Sequence, residues 1–272
     1  MRLGWFVLGT IVVAACSQRT GVPAPTPTLR VMTYNMQAGG GHLDSIAAVI
    51  RRSGAEVVAL QEVDVYWHAR SDFADQAAEL ARQLGMSARF APIYVLPGEA
   101  KGAPAREYGV ALLSRLPIVA FTNHAITRLS TQAEHASPAL MPGFLEATVN
   151  VRGVRVRIFN THLDYRGDPA VRRQQVTESL AIIGEATTPV LMFGDFNASP
   201  TAPELRPLLS RLHDAWTDSL NPGFTYPASK PVRRIDYVLT SRHFRVVASH
   251  VLDTQASDHR PVVVELIFAK CP

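Results

Sequence analysis

Two β-sheets packed face to face, with helices on their outer surfaces, is the α/β architecture that the sequence predicts. Three observations lead there. Strand-like runs outnumber helical ones along the chain. Consecutive strands are joined in places by hairpins, which argues against a purely parallel doubly wound sheet. The helical stretches carry an apolar stripe on one side only, as a helix laid on a sheet requires.

The elements follow in order. Leu29 to Asn35 (LRVMTYN) reads as a strand. Leu43, Ile46, Ala47 and Ile50 recur at i, i+3, i+4 and i+7, one face of a helix that Gly54 stops. Val57 to Leu60 is a short buried strand. Phe73, Ala77, Leu80, Ala81 and Leu84 line a second helix, with Ser71 placed to cap it and Gly85 to end it. Val110 to Leu113 is another apolar strand. Leu145 to Val151 and Val154 to Phe159 form a hairpin across Arg152-Gly153, and Val154, Val156 and Ile158 alternate with Arg155 and Arg157. Asp168-Pro169 opens a third helix with proline at its first position. Val190 to Phe193 is a buried strand. Thr201-x-x-Glu204 is a capping box ahead of Leu205, Leu208, Leu209 and Leu212. Ile235 to Leu239, Phe244 to Val251 and Val262 to Phe268 complete the strands. Pro92 to Glu107 and Thr122 to Pro142 show no clear periodicity and are expected to be irregular loops of functional importance. No internal repeat stands out.

Of 272 residues, 47% are apolar and 18% charged, which excludes disorder as the main state. The length suits one large domain, expected over residues 29–270, with appendages. No internal apolar run approaches the roughly 20 residues of a spanning helix, so a polytopic membrane protein is excluded. The net charge of +4 is weak evidence for a polyanionic partner. Two cysteines, Cys16 and Cys271, leave no room for a disulfide scaffold or a cysteine-rich zinc module. Residues 1–15 have the basic start, short apolar core and small residues of a signal peptide. Val13-Ala14-Ala15-Cys16 resembles the lipobox of bacterial lipoproteins, which implies lipidation of Cys16; an ordinary secretory signal cut near the same place is the alternative. Residues 16–28, rich in proline and threonine, read as an extended tether. The expected location is the cell envelope, anchored by lipid on the periplasmic or extracellular face of a bacterial membrane.

The polar residues that end strands are the informative ones. Asn35, Glu62, His162, Asp195 with Asn197, Asp236 and Asp258-His259 all sit at strand ends, where a rigid scaffold can bring them to one edge. Thr33-Tyr34-Asn35, Leu60-Gln61-Glu62, Asn160-Thr161-His162-Leu163, Gly194-Asp195-Phe196-Asn197, Arg234-Ile235-Asp236-Tyr237 and Ser257-Asp258-His259-Arg260-Pro261 together resemble the motif set of the endonuclease/exonuclease/phosphatase superfamily, the deoxyribonuclease I-like metal-dependent phosphoesterases. The motifs run in family order from about Leu29 to Phe268. The resemblance implies a four-layer α/β sandwich of two mixed, mainly antiparallel sheets with helices outside, and a Mg²⁺ or Mn²⁺ cofactor.

The chemistry is consistent with those residue types. Phosphate ester hydrolysis needs charge neutralisation on the phosphoryl oxygens, an in-line water and help for the leaving oxygen. Mg²⁺ binds through one or two carboxylates, so Glu62 is the expected metal ligand, with help from Asn35 and Asp258. Asp195 is the expected base and Asn197 orients the water or the phosphate. Asp258 with His259, and Asp236 with His162, are the expected carboxylate–imidazole pairs. Arg106 and Tyr108 are candidates to touch substrate. Taken one at a time, each residue has a plainer reading: a strand-end turn at Asn35, a solvated acid at Glu62, an Asx turn at Asp195 and Asn197, a salt bridge at Asp236, a core histidine at His162. Arg166, Arg172 and Arg173 read as a solvated helix face. The joint pattern favours a phosphoesterase acting on nucleic acid, phospholipid or inositol phosphate, and a monomer is expected. The segment around His162 is similar to the deoxyribonuclease I and sphingomyelinase branch. No basic–aromatic stripe marks a platform for single strands. The alternative is a catalytically silent binding domain on the same fold.

Overall fold

Strand β1 (Leu29–Asn35) is apolar on both faces because both faces are covered. Leu29 and Val31 enter the core between the sheets, while Met32 and Tyr34 enter a second core beneath the helices. The computed structural model describes residues 28–269; the expected signal peptide, Cys16, the expected tether up to residue 27, and Cys271 lie outside them. After β1 come α1 (Leu43–Ser53), β2 (Val57–Val65), α2 (Gln76–Leu84), β3 (Ser87–Leu96) and β4 (Arg106–Ser114). The chain then passes through β5 (Ile118–Arg128), β6 (Ala139–Val151), β7 (Val154–His162), α3 (Ala170–Ile183), β8 (Val190–Asp195), α4 (Arg206–Arg211), β9 (His213–Asp214) and β10 (Asp236–Thr240). It ends in β11 (Phe244–Val251) and β12 (Val262–Phe268).

The strands form two six-stranded sheets, ordered β11-β12-β1-β2-β4-β3 and β5-β6-β7-β8-β10-β9. Each is antiparallel except for one parallel pair at its centre, β1 with β2 and β7 with β8. A parallel pair needs a crossover, supplied by α1 in one sheet and α3 in the other. Both inner faces pack on each other through residues such as Val31, Val57, Ile158, Leu191 and Phe193. The outer faces are covered by α1 and α2 on one side and by α3 and α4 on the other. The result is the predicted four layers.

One polar strut crosses the apolar middle. Gln61 on β2 donates through Nε2 to Asn160 Oδ1 on β7 at 2.7 Å, and Asn160 Nδ2 donates to the carbonyls of Leu60 and Ala111, both at 2.9 Å. Both side chains are fully buried. An unpaired amide here would be costly, so the strut ties the two sheets in one register.

Several local expectations change. The cap of α2 is Asp75, whose Oδ1 accepts from the Ala78 N–H at 2.9 Å, because Ser71 is occupied upstream with Asp64 at 2.8 Å. The capping box at Thr201 does not form: Glu204 turns away to a buried pair with Arg172 at 2.9 Å, and Pro203–Leu205 makes a 3₁₀ turn ahead of α4. Arg172 is thus buried rather than solvated. Pro169 occupies the cap of α3 rather than its first turn. The two stretches expected to be irregular are about half loop and half strand. β3 and β5 are sheet edges with half-exposed side chains, and Pro92 stands at a break in register, so neither shows a clear alternation. Only residues 97–105 and 129–138 remain as loops between these strands.

Candidate active site

The parallel strands dictate where the site lies. β1 ends at Asn35, the pairing of β2 with β1 ends at Gln61 just before Glu62, and β7 and β8 end at His162 and Asp195, so the carboxyl ends of both central pairings meet at one edge of the sandwich. In register, Asp195 is flanked by His162 on β7 and by Asp236 on β10. Asp195 is therefore the centre of the cluster.

Asp195 is buried, and each of its oxygens has partners. Oδ1 accepts from the Asn197 N–H at 2.9 Å, the Asx turn foreseen as the plainer reading. Oδ2 accepts from Asn35 Nδ2 at 3.0 Å and lies 3.6 Å from the Nε2 of both His162 and His259. Burial, and next the neighbouring charge of Asp236, push the Asp195 carboxyl above its ordinary range, with the two imidazoles acting the other way. Asn197 sits in the left-handed region that asparagine tolerates, and its Nδ2 donates to Leu163 O at 3.1 Å, joining the loops after β7 and β8.

The carboxylate–imidazole pairing differs from expectation. Asp236 Oδ2 is 2.9 Å from His259 Nδ1, so Asp236 partners His259 and not His162. Asp195 stands between β7 and β10, which keeps Asp236 away from His162. Burial opposes the charged imidazole of His259, but Asp236, with Asp195 and Asp258 in support, outweighs it and raises His259 to about 10. Asp258 lies beside His259 without pairing to it; its nearest hydrogen bond is from Ser257 Oγ at 3.3 Å.

Glu62 stands at a bulge where β2 slips against β4 between Leu60 and Val63, with a left-handed φ of 56°. Such a backbone is strained for glutamate, and here it turns the carboxylate out of the sheet. Asn35 Nδ2 donates to Glu62 Oε1 at 2.9 Å and so bridges Glu62 and Asp195. Its own Oδ1 accepts from the Gln37 N–H at 3.1 Å. Asn35, expected to help at the metal, donates here to two acids. Glu62 Oε2 has no hydrogen-bond partner among the described residues. The Asp258 carboxyl is pushed up, first by burial and also by the charge of Glu62. An open carboxylate oxygen on Glu62 and its repulsion with Asp258 suit a hard divalent cation. Asp195, Asp236 and His259 also place ligand atoms within 4.8 Å of one another. That trio already holds the Asp236–His259 hydrogen bond, so Glu62 and Asp258 are the better seat.

A cavity of about 210 Å³ opens beside Glu62 and His162, lined also by Tyr94, Tyr108, Arg128 and Tyr165. Of the two candidate substrate contacts, Tyr108 lines it and Arg106 does not. Arg106 pairs with Glu99 and borders a separate depression with Tyr66 and Phe73. Tyr94, Arg128 and Tyr165 were not picked out from the sequence. Tyr94 and Arg128 fall in the stretches read as loops, and Tyr165 lies past the last motif residue.

The model of the endonuclease/exonuclease/phosphatase family matches residues 32–259. The crystal structure of an endonuclease/exonuclease/phosphatase from Beutenbergia cavernae DSM 12333 is 28% identical, with a TM-score of 0.69 over 90% of this chain and 72% of that one. The human Nocturnin catalytic domain, solved with bound sulfate anion, has the same fold at 22% identity, with a TM-score of 0.67 over 90% of this chain and 96% of that one. Protein cwh43 of Schizosaccharomyces pombe is 31% identical over 157 residues, which are 55% of this chain and 14% of that protein, so the chain spans only a small part of that relative. Six strand-end motifs gathered at one edge, and a family match over most of the chain, lead to one conclusion: this chain belongs to the endonuclease/exonuclease/phosphatase family, a family of phosphoester hydrolases.

Proposed function

We propose that the protein is an exported hydrolase of phosphate esters, tethered to the cell envelope through Cys16 and dependent on Mg²⁺ or Mn²⁺. The observation that carries the catalytic part is Asp195 Oδ2, held by Asn35 and set 3.6 Å from two imidazoles. A binding domain has no use for a buried acid whose carboxyl is raised and flanked by two proton carriers.

When bound at Glu62 and Asp258, the cation supplies charge neutralisation to the phosphoryl oxygens. The chain's own residues do the rest. Asp195 takes a proton from the attacking water at Oδ2, while Asn35 and the Asn197 N–H hold its two oxygens in place. His259, kept charged by Asp236, presents Nε2 to the phosphoryl group and stabilises its developing charge. His162 borders the cavity and gives its proton to the leaving oxygen. The test is hydrolysis of bis(p-nitrophenyl) phosphate and p-nitrophenyl phosphate with Mg²⁺ or Mn²⁺, repeated in EDTA. Turnover that EDTA abolishes is expected. No turnover with either metal would return the silent binding domain; full turnover in EDTA would remove the metal.

A further inference from the structure

The cavity beside His162 is lined mostly by residues outside the phosphate chemistry. Asp195, Asp236 and His259 do not line it, whereas His162 and Glu62 do. On the proposed reading His162 protonates the leaving oxygen, so the cavity receives the alcohol half of the ester.

Its size and polarity limit that alcohol. About 210 Å³ is below the range of roughly 300–1,000 Å³ for drug-sized ligands, enough for a single ring. The aromatic rings on the wall already have neighbours. Tyr94 and Tyr108 pack on each other at 6.1 Å between centroids, and on Trp67 at 6.2 and 5.7 Å. Tyr165, 62% exposed, has the Arg166 guanidinium 5.0 Å from its centroid. Of the three tyrosines on the wall only Tyr165 is exposed, so no pair of open ring faces is offered for a planar base to stack between. Unspent hydrogen-bonding groups remain. Gln175 is buried to 1% exposure, and its Oε1 accepts from the Asp164 N–H at 2.9 Å, leaving Nε2 without an acceptor among the described residues. Arg128, 6% exposed, gives three of its five N–H groups to the carbonyls of Pro142, Gly143 and His162, leaving two. The Tyr108 hydroxyl also has no partner among the described residues, and burial followed by the nearby Glu62 charge keeps it protonated. Arg128 and Arg166 are offset by Glu62 and Asp164, and His162 and the proposed cation at Glu62 serve the phosphoryl group being cleaved, so no cationic group is left over for a second anion.

We infer that this cavity is a subsite for a single uncharged, polyhydroxylated ring, a cyclitol or a hexose, as the leaving alcohol of the phosphate ester. Gln175, Arg128 and Tyr108 meet its hydroxyls, and Tyr165 covers its edge. The inference rests on the functional reading only for the word "leaving"; the binding itself stands apart from it.

The experiment therefore has a binding arm and a kinetic arm. Saturation-transfer NMR on the metal-free protein uses free myo-inositol, glucose, thymidine and choline as probes. Signals for myo-inositol or glucose, lost in Tyr165→Ala and weakened in Tyr108→Phe, are expected, and the two polyol arms separate cyclitol from hexose. Equal signals for thymidine or choline, or no polyol signal in the wild type, overturn the inference. In the kinetic arm, the ratio of kcat/KM for the polyol phosphate to that for p-nitrophenyl phosphate should fall about tenfold in Tyr108→Phe, the worth of one buried hydrogen bond. An unchanged ratio overturns the leaving-group assignment. If no ester is hydrolysed at all, the functional reading fails and the NMR arm alone decides the subsite.

Discussion

His259 Nδ1 lies 2.9 Å from Asp236 Oδ2, and this pair sits on the far side of Asp195 from His162. The two histidines are therefore not equivalent. Asp236→Asn should follow His259→Ala and not His162→Ala. Loss of His259 or of its carboxylate partner removes charge stabilisation that every phosphate ester needs, so kcat/KM should fall on the order of a hundredfold for alkyl and p-nitrophenyl esters alike. Loss of His162 should hurt the alkyl ester by a similar factor and the p-nitrophenyl ester only mildly, because a good leaving group needs no proton. Equal losses on both esters in His162→Ala would sink the acid assignment. An Asp236→Asn variant that spares p-nitrophenyl ester would detach Asp236 from His259.

Glu62 offers its second oxygen to the cavity while Asn35 holds the first at 2.9 Å. Glu62→Gln keeps the shape and removes the charge. The Mg²⁺ concentration for half activity should rise about tenfold or more, with thermal stability in EDTA unchanged within experimental scatter. A variant with wild-type metal dependence would place the cation elsewhere, with Asp195, Asp236 and His259 the next trio to test.

The strut between the sheets is open to a stability test. Asn160→Ala takes from Gln61 Nε2 its 2.7 Å acceptor, leaving it Thr33 Oγ1 at 3.1 Å, and removes a donor from the Leu60 and Ala111 carbonyls in a dry core. The expected loss is about 2–4 kcal/mol, from two or three buried hydrogen bonds. Adding Gln61→Leu should recover part of it, since removing both partners costs less than orphaning one. Urea unfolding measures both; a single variant within about 0.5 kcal/mol of wild type contradicts the strut.

The sequence discloses elements that face a core on one side or lie buried on both. The stripe from Leu43 to Ile50 becomes α1, and the hairpin across Arg152-Gly153 becomes β6 and β7. The edge strands β3 and β5 are not legible, because half-exposed edges carry no strong period and Pro92 breaks one of them. The site is legible as residues but not as partners. His162 ends β7 and Asp236 begins β10, yet which imidazole a carboxylate meets depends on β8 lying between those two strands, and strand order is not written in local pattern. The caps fail for a related reason. Ser71 and Glu204 fit local rules but were claimed by Asp64 and Arg172, groups 7 and 32 residues away in the chain. The left-handed φ of Glu62 has no local signal either, since it arises from the bulge against β4.

Cys16 lies outside the described residues, and its lipidation is tested in cells. Radiolabelled palmitate should enter the wild type and not Cys16→Ser, and the variant should leave the membrane fraction. Equal labelling, or a wild type released as a soluble protein, decides against the anchor and in favour of an ordinary secretory signal.

The pH dependence of stability isolates the buried pair. The His259 imidazole titrates at 6.5 when free and at about 10 in the folded protein, where the carboxylates of Asp236, Asp195 and Asp258 outweigh its burial. Between those two values the folded state holds a proton that the unfolded chain has released. The stabilising contribution is thus fully present below about pH 6.5, the free histidine value, and is lost as pH rises toward 10. The slope is on the order of 1 kcal/mol per pH unit in that window. His259→Gln keeps a side chain that donates to Asp236 but cannot titrate. In EDTA, urea unfolding from pH 6 to 10 should show the wild type losing several kcal/mol more than the variant, the difference accumulating above neutrality. Lysine and tyrosine titrations at the alkaline end are common to both proteins and cancel in the difference. Parallel profiles for the two proteins would mean that His259 gains no proton on folding, and the charged donor assigned to it at the phosphoryl group would have to be given up.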